Sequence, residues 1–124
     1  MKKIFALTIA LFVGLLIQAQ SVTVTYYTNG NVKTSTYTNG SMAERVTYHK
    51  DGTLREIARF NNGTPHGQWQ EFDKNEVLIS EGYYVNGKKS GKWLVYNDLD
   101  NTVYQVTYKN NLKVKTTEWV RGNE

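Results

Sequence analysis

From residue 21 onward apolar and polar positions alternate in short runs, and no stretch keeps the three-to-four-residue apolar spacing of an amphipathic helix. Val22, Val24 and Tyr26 alternate with hydroxyl residues and predict a strand over 21–27. Gly, Asn and Asp break the runs at Asn29-Gly30, Asn39-Gly40, Asp51-Gly52, Asn62-Gly63 and Asn86-Gly87. Asn-Gly is the strongest short hairpin signal, because a type I′ turn needs positive φ at both central residues. Further strands are predicted over 53–61, 67–72, 77–85, 88–96 and 102–109, with turns at 73–76 and 97–101. Asn111 stands where Gly87 stood, and Asn tolerates the left-handed conformation, so a turn is expected there too. The last strand carries Lys113 and Lys115, with Arg121 close behind, charges suited to an edge that avoids further pairing.

The runs are not independent of one another. Tyr48, Phe60, Phe72, Tyr84, Tyr96 and Tyr108 fall at intervals of twelve, and Asn62-Gly63, Gly67, Trp69 and Phe72 return 24 positions later as Asn86-Gly87, Gly91, Trp93 and Tyr96. Such a period marks a chain built from one supersecondary unit used repeatedly. Asn29-Gly30 and Asp51-Gly52 are offset by 22 rather than 24, as befits a degenerate terminal unit. The expected fold class is all-β: a single-layer, twisted antiparallel meander of ~24-residue hairpin repeats.

A register follows if Asn86-Gly87 is a two-residue loop and Asp73–Glu76 a four-residue loop. Val85 then faces Lys88, Ser80 lies between Trp69 and Trp93, and Gly82 lies between Gly67 and Gly91. Phe72, Val77 and Tyr96 make a row on the opposite face. Glu81 opposes Lys92 and Glu56 opposes Arg45, cross-strand pairs worth ~0.2–1 kcal/mol each. Small residues at 80 and 82 leave room for rings to lie across the sheet, and Gly82→Val is expected to force them off.

The run Asn86-Gly87-Lys88-Lys89-Ser90-Gly91-Lys92-Trp93-Leu94-Val95-Tyr96 resembles a MORN-repeat variant, and Asn62, Gly63, Gly67, Trp69 and Phe72 match the same pattern. The resemblance covers roughly residues 42–108, with two good copies and a partial one on each side. Arg45 departs from it, standing where the repeat has Trp, and so do Glu76 and Asp100 in the alternate turns. Bacteria carry such repeats in tandem, often in secreted or antitoxin-like proteins. The resemblance implies a scaffold or binding surface and names no ligand.

The first residues belong to something other than the sheet. Lys2 and Lys3 precede an uncharged apolar run of fourteen from Ile4 to Ile17, closed by Gln18-Ala19-Gln20. That is the pattern of a secretory signal, too short to span a bilayer comfortably. We expect residues 1–19 to be a signal peptide, 20–124 the repeat domain, and the protein secreted or periplasmic with no stable membrane anchor after cleavage. Loss of Lys2 and Lys3, with no acidic residue up to Ala19, lowers the formal charge from +4 to +2. So small a balance, without a basic run, argues against a nucleic-acid partner. There is no cysteine, which removes disulfides, thiol chemistry and a cysteine-linked lipid anchor.

Candidate catalytic groups are few. His49 and His66 both sit beside turns and are read as solvated or edge-packed imidazoles rather than bases. Thr64-Pro65-His66-Gly67 has the histidine and glycine of a nicotinate mononucleotide adenylyltransferase motif in reversed order, with no helix to follow, and that activity is rejected. Asn97-Asp98-Leu99-Asp100-Asn101 lacks the twelve-residue ligand spacing and final Glu of a calcium loop and reads as a turn. No enzyme, cofactor or metal site is expected. What remains is an aromatic surface of Trp69, Trp93, Tyr84 and Tyr104, able to grip a protein or stack on a sugar ring. The two open edges of a meander offer strand pairing as another mode of contact.

Overall fold

A computed structural model describes residues 20–122; the expected signal peptide lies outside them. Ten strands in chain order form one antiparallel sheet: β1 Gln20–Tyr26, β2 Val32–Asn39, β3 Met42–Tyr48, β4 Leu54–Asn61, β5 Thr64–Pro65, β6 Gly67–Phe72, β7 Leu78–Val85, β8 Lys88–Asn97, β9 Thr102–Lys109 and β10 Leu112–Val120. Each strand pairs with its neighbours in sequence, and β5 and β6 are two parts of one rung that both pair with β4. No helix occurs among the described residues. The expected all-β meander is the fold observed.

Turns at the two ends of the strands differ, and each kind recurs with the repeat. At one end the loops are two residues long: Asn62-Gly63 (φ 49° and 77°), Asn86-Gly87 (48° and 81°) and Asn110-Asn111 (49° and 68°) have the paired positive φ of type I′, whereas in the turn after Asn39 only Gly40 (61°) is positive and the loop is Gly40-Ser41. Asn111 therefore turns the chain as its position predicted. Asn29-Gly30 does not form such a turn. Gly30 alone has positive φ, inside a longer loop in which the Tyr27 N–H bonds the Asn31 carbonyl. The same longer loop recurs at His49–Thr53 and Asp73–Val77, each closed by the corresponding backbone bond.

Successive turns at one end are tied together. The Gly87 and Asn111 N–H groups donate to the Pro65 and Lys89 carbonyls, donors and acceptors both 24 residues apart. At the other end the Tyr27 hydroxyl donates to the Tyr48 carbonyl, and Asn29 and Asn31 side chains donate to the Lys50 carbonyl. These bonds satisfy backbone groups that the strand ladders leave over. They stack the hairpins into a repeat array.

The bulge-free register needs correction. Val85 does face Lys88, but Ser80 faces Val95 and Trp69 faces Gly82. The ladder slips between Glu81 and Tyr83 on β7, opposite Gly91 (φ 70°), and between Glu71 and Phe72 on β6. A similar irregularity separates β5 from β6 at Gly67 (φ 109°). A bulge bends the strand and re-aims the side chains beside it. In both good repeats the glycine of Gly-x-Trp makes that bulge two residues ahead of the indole. The predicted row of Phe72, Val77 and Tyr96 is not formed: Phe72 faces Leu78, Val77 closes a turn and Tyr96 faces Val103. Lys92 faces Thr107 and Glu81 faces Leu94, so their predicted pairing is also absent; the Tyr96 hydroxyl takes Glu81 instead, at 2.9 Å. Arg45 and Glu56 do meet, at 3.5 Å, although on a diagonal, with Arg45 directly opposite Ala58.

One layer buries little. Ala58, Trp93 and Val103 are the buried apolar side chains among the described residues. Trp93 and Ala58 belong to one transverse row in which large and small residues alternate from strand to strand: Arg45, Ala58, Trp69, Gly82, Trp93, Val106. Large members recur every 24 residues on β3, β6 and β8, and small ones every 24 on β4, β7 and β9. A ring on one strand thus lies over the bare backbone of the strand before it.

Candidate functional site: an aromatic face and its cleft

Trp93 sits at the centre of the row. Its ring lies flat on Gly82, where an added Cβ would come within 2.1 Å of the indole. Its N–H donates to the Tyr83 carbonyl at 3.1 Å, so the polar edge of the buried ring is satisfied. Trp69 stands 5.3 Å away at 32°, and Tyr84 and Tyr108 meet the ring edge-on at 5.0 and 6.2 Å. Edge-to-face pairs of this kind add ~0.5–1.5 kcal/mol beyond the area they bury. The Lys89 ammonium lies over both Trp93 (4.6 Å) and Tyr108 (5.1 Å), capping the cluster.

The four residues singled out from the sequence therefore have different fates. Trp69, Tyr84 and Trp93 come together on one face. Trp93 is only 4% exposed and supports the face from beneath. Tyr104 pairs with Val95, two positions along the strand from Trp93, on the same face but in the next row. Lys89, Tyr108 and Arg45 belong to the cluster or its continuation and were not singled out. The 24-residue equivalence of Tyr108 to Tyr84, and of Arg45 to Trp69, is the signal that could have found two of them.

One repeat earlier, around Trp69, the face opens. Arg45 occupies the tryptophan position two repeats before Trp93, and its guanidinium lies 4.8 Å from the centre of the Phe60 ring, as Trp93 meets Tyr108. Pro65 stands where Lys89 stands in the next repeat, each paired with the aromatic of its own repeat. A cleft of about 150 Å³ results, lined by Arg45, Glu56, Ala58, Phe60, Trp69 and Tyr84 among others. Burial, with a contribution from the Glu56 carboxylate, raises the Tyr84 hydroxyl above its usual pKa. On the other face Tyr96 is raised as well, by burial first and then by its bond to Glu81.

Both histidines bond to the next turn in the array. His49 Nε2 lies 3.1 Å from the Phe72 carbonyl, and His66 Nδ1 accepts the Asn86 N–H at 3.1 Å. These are edge-packed rings. Around Asn97–Asn101 the side-chain oxygens serve the turn: Asn97 Oδ1 accepts the Leu99 N–H and Asp100 Oδ1 the Thr102 N–H. No group of three acidic or histidine side chains placed to hold a metal occurs among the described residues.

Comparison with known proteins agrees with this architecture. The model of the MORN repeat variant matches residues 65–86, from Pro65 in β5 to Asn86 at the start of the β7–β8 turn. That stretch carries a MORN repeat variant, and the structural repeat extends it to either side. No curated protein sequence matches the chain. Two crystal structures of S. aureus TarM are similar in fold. A mutant in complex with fondaparinux, alpha-GlcNAc-glycerol and UDP shares 13% identity over 89% of this chain, with a TM-score of 0.53. TarM itself gives 13%, 89% and 0.52. The chain spans only about a quarter of TarM's length, 24% and 23% in the two cases.

Proposed function

We propose that this chain is a non-enzymatic repeat module, exported to the periplasm or beyond, that binds a protein or cell-envelope partner through its aromatic face. The cleft beside Arg45 carries the reading. There the repeat pattern breaks, and Trp69, Tyr84 and the Arg45–Glu56 pair border a hollow instead of closing over a core. Aromatic rings and arginine are the residue types enriched where proteins anchor one another. The repeat unit around them is a scaffold suited to presenting such a patch. A narrower form of the proposal is an antitoxin-like or immunity-like partner of a secreted toxin, in which the cleft receives a side chain of the toxin.

The test is capture from native envelope extract with the wild-type protein and with Arg45→Ala and Glu56→Ala. A partner enriched by the wild type and lost with both variants supports the cleft; equal recovery by all three counts against it. Glycan binding is the second reading, resting on the partly exposed Trp69 and Tyr84 rings. Titration with cell-wall fragments while following tryptophan emission decides it, and an unchanged spectrum removes it.

A further inference from the structure

The two edges of the sheet are built differently. β10 is guarded: it carries Lys113, Lys115 and Glu118, it bulges between the two lysines, and Arg121 after it is held by Asp98 and by backbone bonds to Asn101. β1 lacks the charges, and the one irregularity in its ladder, between Thr25 and Tyr26, puts the extra residue, Lys33, on β2 rather than on the edge. Its sequence Gln20-Ser21-Val22-Thr23-Val24-Thr25-Tyr26 contains no charge and no proline, and all seven residues are exposed. Val22, Val24 and Tyr26 are 63%, 37% and 63% exposed, and Tyr37 on β2, directly opposite Val22, is 44% exposed. An uncharged, extended edge rich in β-branched residues is a template for another strand.

The pattern along β1 also says which strand. Read in either direction from Thr23 it is the same: valine on each side, then a hydroxyl residue, Ser21 or Thr25. We infer that β1 pairs antiparallel with β1 of a second copy of this chain, about a two-fold axis through Thr23. In that register Val22 of one copy faces Val24 of the other, Ser21 faces Thr25, and Gln20 faces Tyr26. Valines meet valines on one face, with a Gln20–Tyr26 pair at each end, and hydroxyls meet hydroxyls on the other, so each face continues into the second copy. A slip of one residue would set valine against threonine and exchange the faces. A slip of two keeps the faces but shortens the ladder.

On the hydroxyl face Ser21, Thr23 and Thr25 already lie opposite Thr38, Thr36 and Thr34 of β2, with the Thr25 and Thr34 hydroxyls 2.6 Å apart. The dimer doubles that array. On the other face it joins two stripes of exposed Val and Tyr. No side chain on β1 brings a charge to the seam, and the amino groups at the processed Gln20 ends lie at opposite ends of the ladder, each facing Tyr26, so no like-charge pair opposes closure. The contact is isologous and closes on itself, giving a dimer rather than a fibre. It leaves β10 and the Arg45 cleft free, so it stands apart from the proposed partner site.

The chain has no cysteine of its own, which makes the test direct. In the processed, purified protein, Thr23→Cys places two thiols opposite one another at the axis, within the Cα separation a disulfide spans. Val22→Cys places them a diagonal apart, beyond it. Mild oxidation is expected to link Thr23→Cys into a dimer ~10-fold faster than Val22→Cys, whereas mixed Val22→Cys and Val24→Cys chains link to each other. Sedimentation of the wild type is expected to show a monomer–dimer equilibrium. Thr23→Lys abolishes it, and Thr116→Lys on β10 leaves it intact. A wild type that stays monomeric at every concentration overturns the inference. So does a dimer that survives Thr23→Lys, or a Thr23→Cys that links no faster than Val22→Cys.

Discussion

Two stretches of the same face, one repeat apart, show what a single substitution in a repeat array does. Around Trp93 the unit is complete: the indole covers Gly82, Tyr84 and Tyr108 close its edges, and Lys89 caps it. One repeat earlier, around Trp69, Ala58 stands for Gly82 and Pro65 for Lys89, Arg45 takes the place beside the indole that Trp69 takes beside Trp93, and a cleft appears. Ala58 and Gly82 hold the equivalent small position and both are buried, so the rung beneath is the same. The difference lies in what stands beside the indole. A repeat that closes over itself in one place leaves a cleft in another, where an arginine replaces the companion ring and a proline the capping lysine.

That comparison can be broken by mutation. Trp93→Ala should cost the most, about 3–5 kcal/mol, because it removes a buried ring and leaves a cavity that the single layer cannot refill from a second one. Chemical denaturation measures it. Trp69→Ala, at the border of the cleft, should cost less, about 2 kcal/mol, since part of that ring already faces solvent. Equal losses at the two sites would erase the distinction between a closed unit and an open one. The turns sharpen it further. Gly63→Ala meets open space and pays only for its φ of 77°, about 1 kcal/mol. Gly87→Ala carries the same strain and also brings its Cβ within 3.1 Å of Thr64 Cγ2, so its melting temperature should fall further.

The smallest effect is expected in alkali. Tyr84 and Tyr96 have hydroxyl pKa values raised above 10.0 in the fold, by burial first in both cases. The unfolded chain therefore ionises at lower pH than the folded one. Their contribution is fully present below the unfolded value and is lost as pH rises through the raised folded values. Tyr84→Phe and Tyr96→Phe together should flatten the decline of the denaturation midpoint above pH 10, which pH-dependent unfolding followed by circular dichroism would detect.

Much of this was legible in the sequence. The Asn62-Gly63 and Asn86-Gly87 pairs and the 24-residue return of Gly-x-Trp announced the hairpins, because type I′ turns and aromatic rungs leave strong local signals; Asn29-Gly30 and Asn39-Gly40 carry the same letters without forming that turn. The register was not, and Ser80 shows why. Counting from the turn at 86–87 sets it against Trp93, yet the bulge opposite Gly91 sets it against Val95. A glycine with positive φ inside a strand can mark a bulge, but the letter alone does not say that the ladder slips there. Trp69, Tyr84 and Trp93 do lie together on one face, with Tyr104 in the next row, while the burial of Trp93 depends on how closely its ring approaches Gly82. Exposure is a property of the stack, and no single repeat shows it. Arg45 looked like a lapse from the pattern; in three dimensions the lapse is the cleft.

Gly82 offers the most direct test of the whole account. Its φ is not positive, so alanine there would ordinarily stabilise an extended chain by ~0.4–1 kcal/mol through the unfolded state. If the Trp93 ring rests on that backbone, Gly82→Ala must displace the ring and lose at least ~2 kcal/mol in a urea melt, with a shift in tryptophan emission. A variant as stable as the wild type, or more so, with emission unchanged, would mean that the ring lies elsewhere and that the array is held together in some other way.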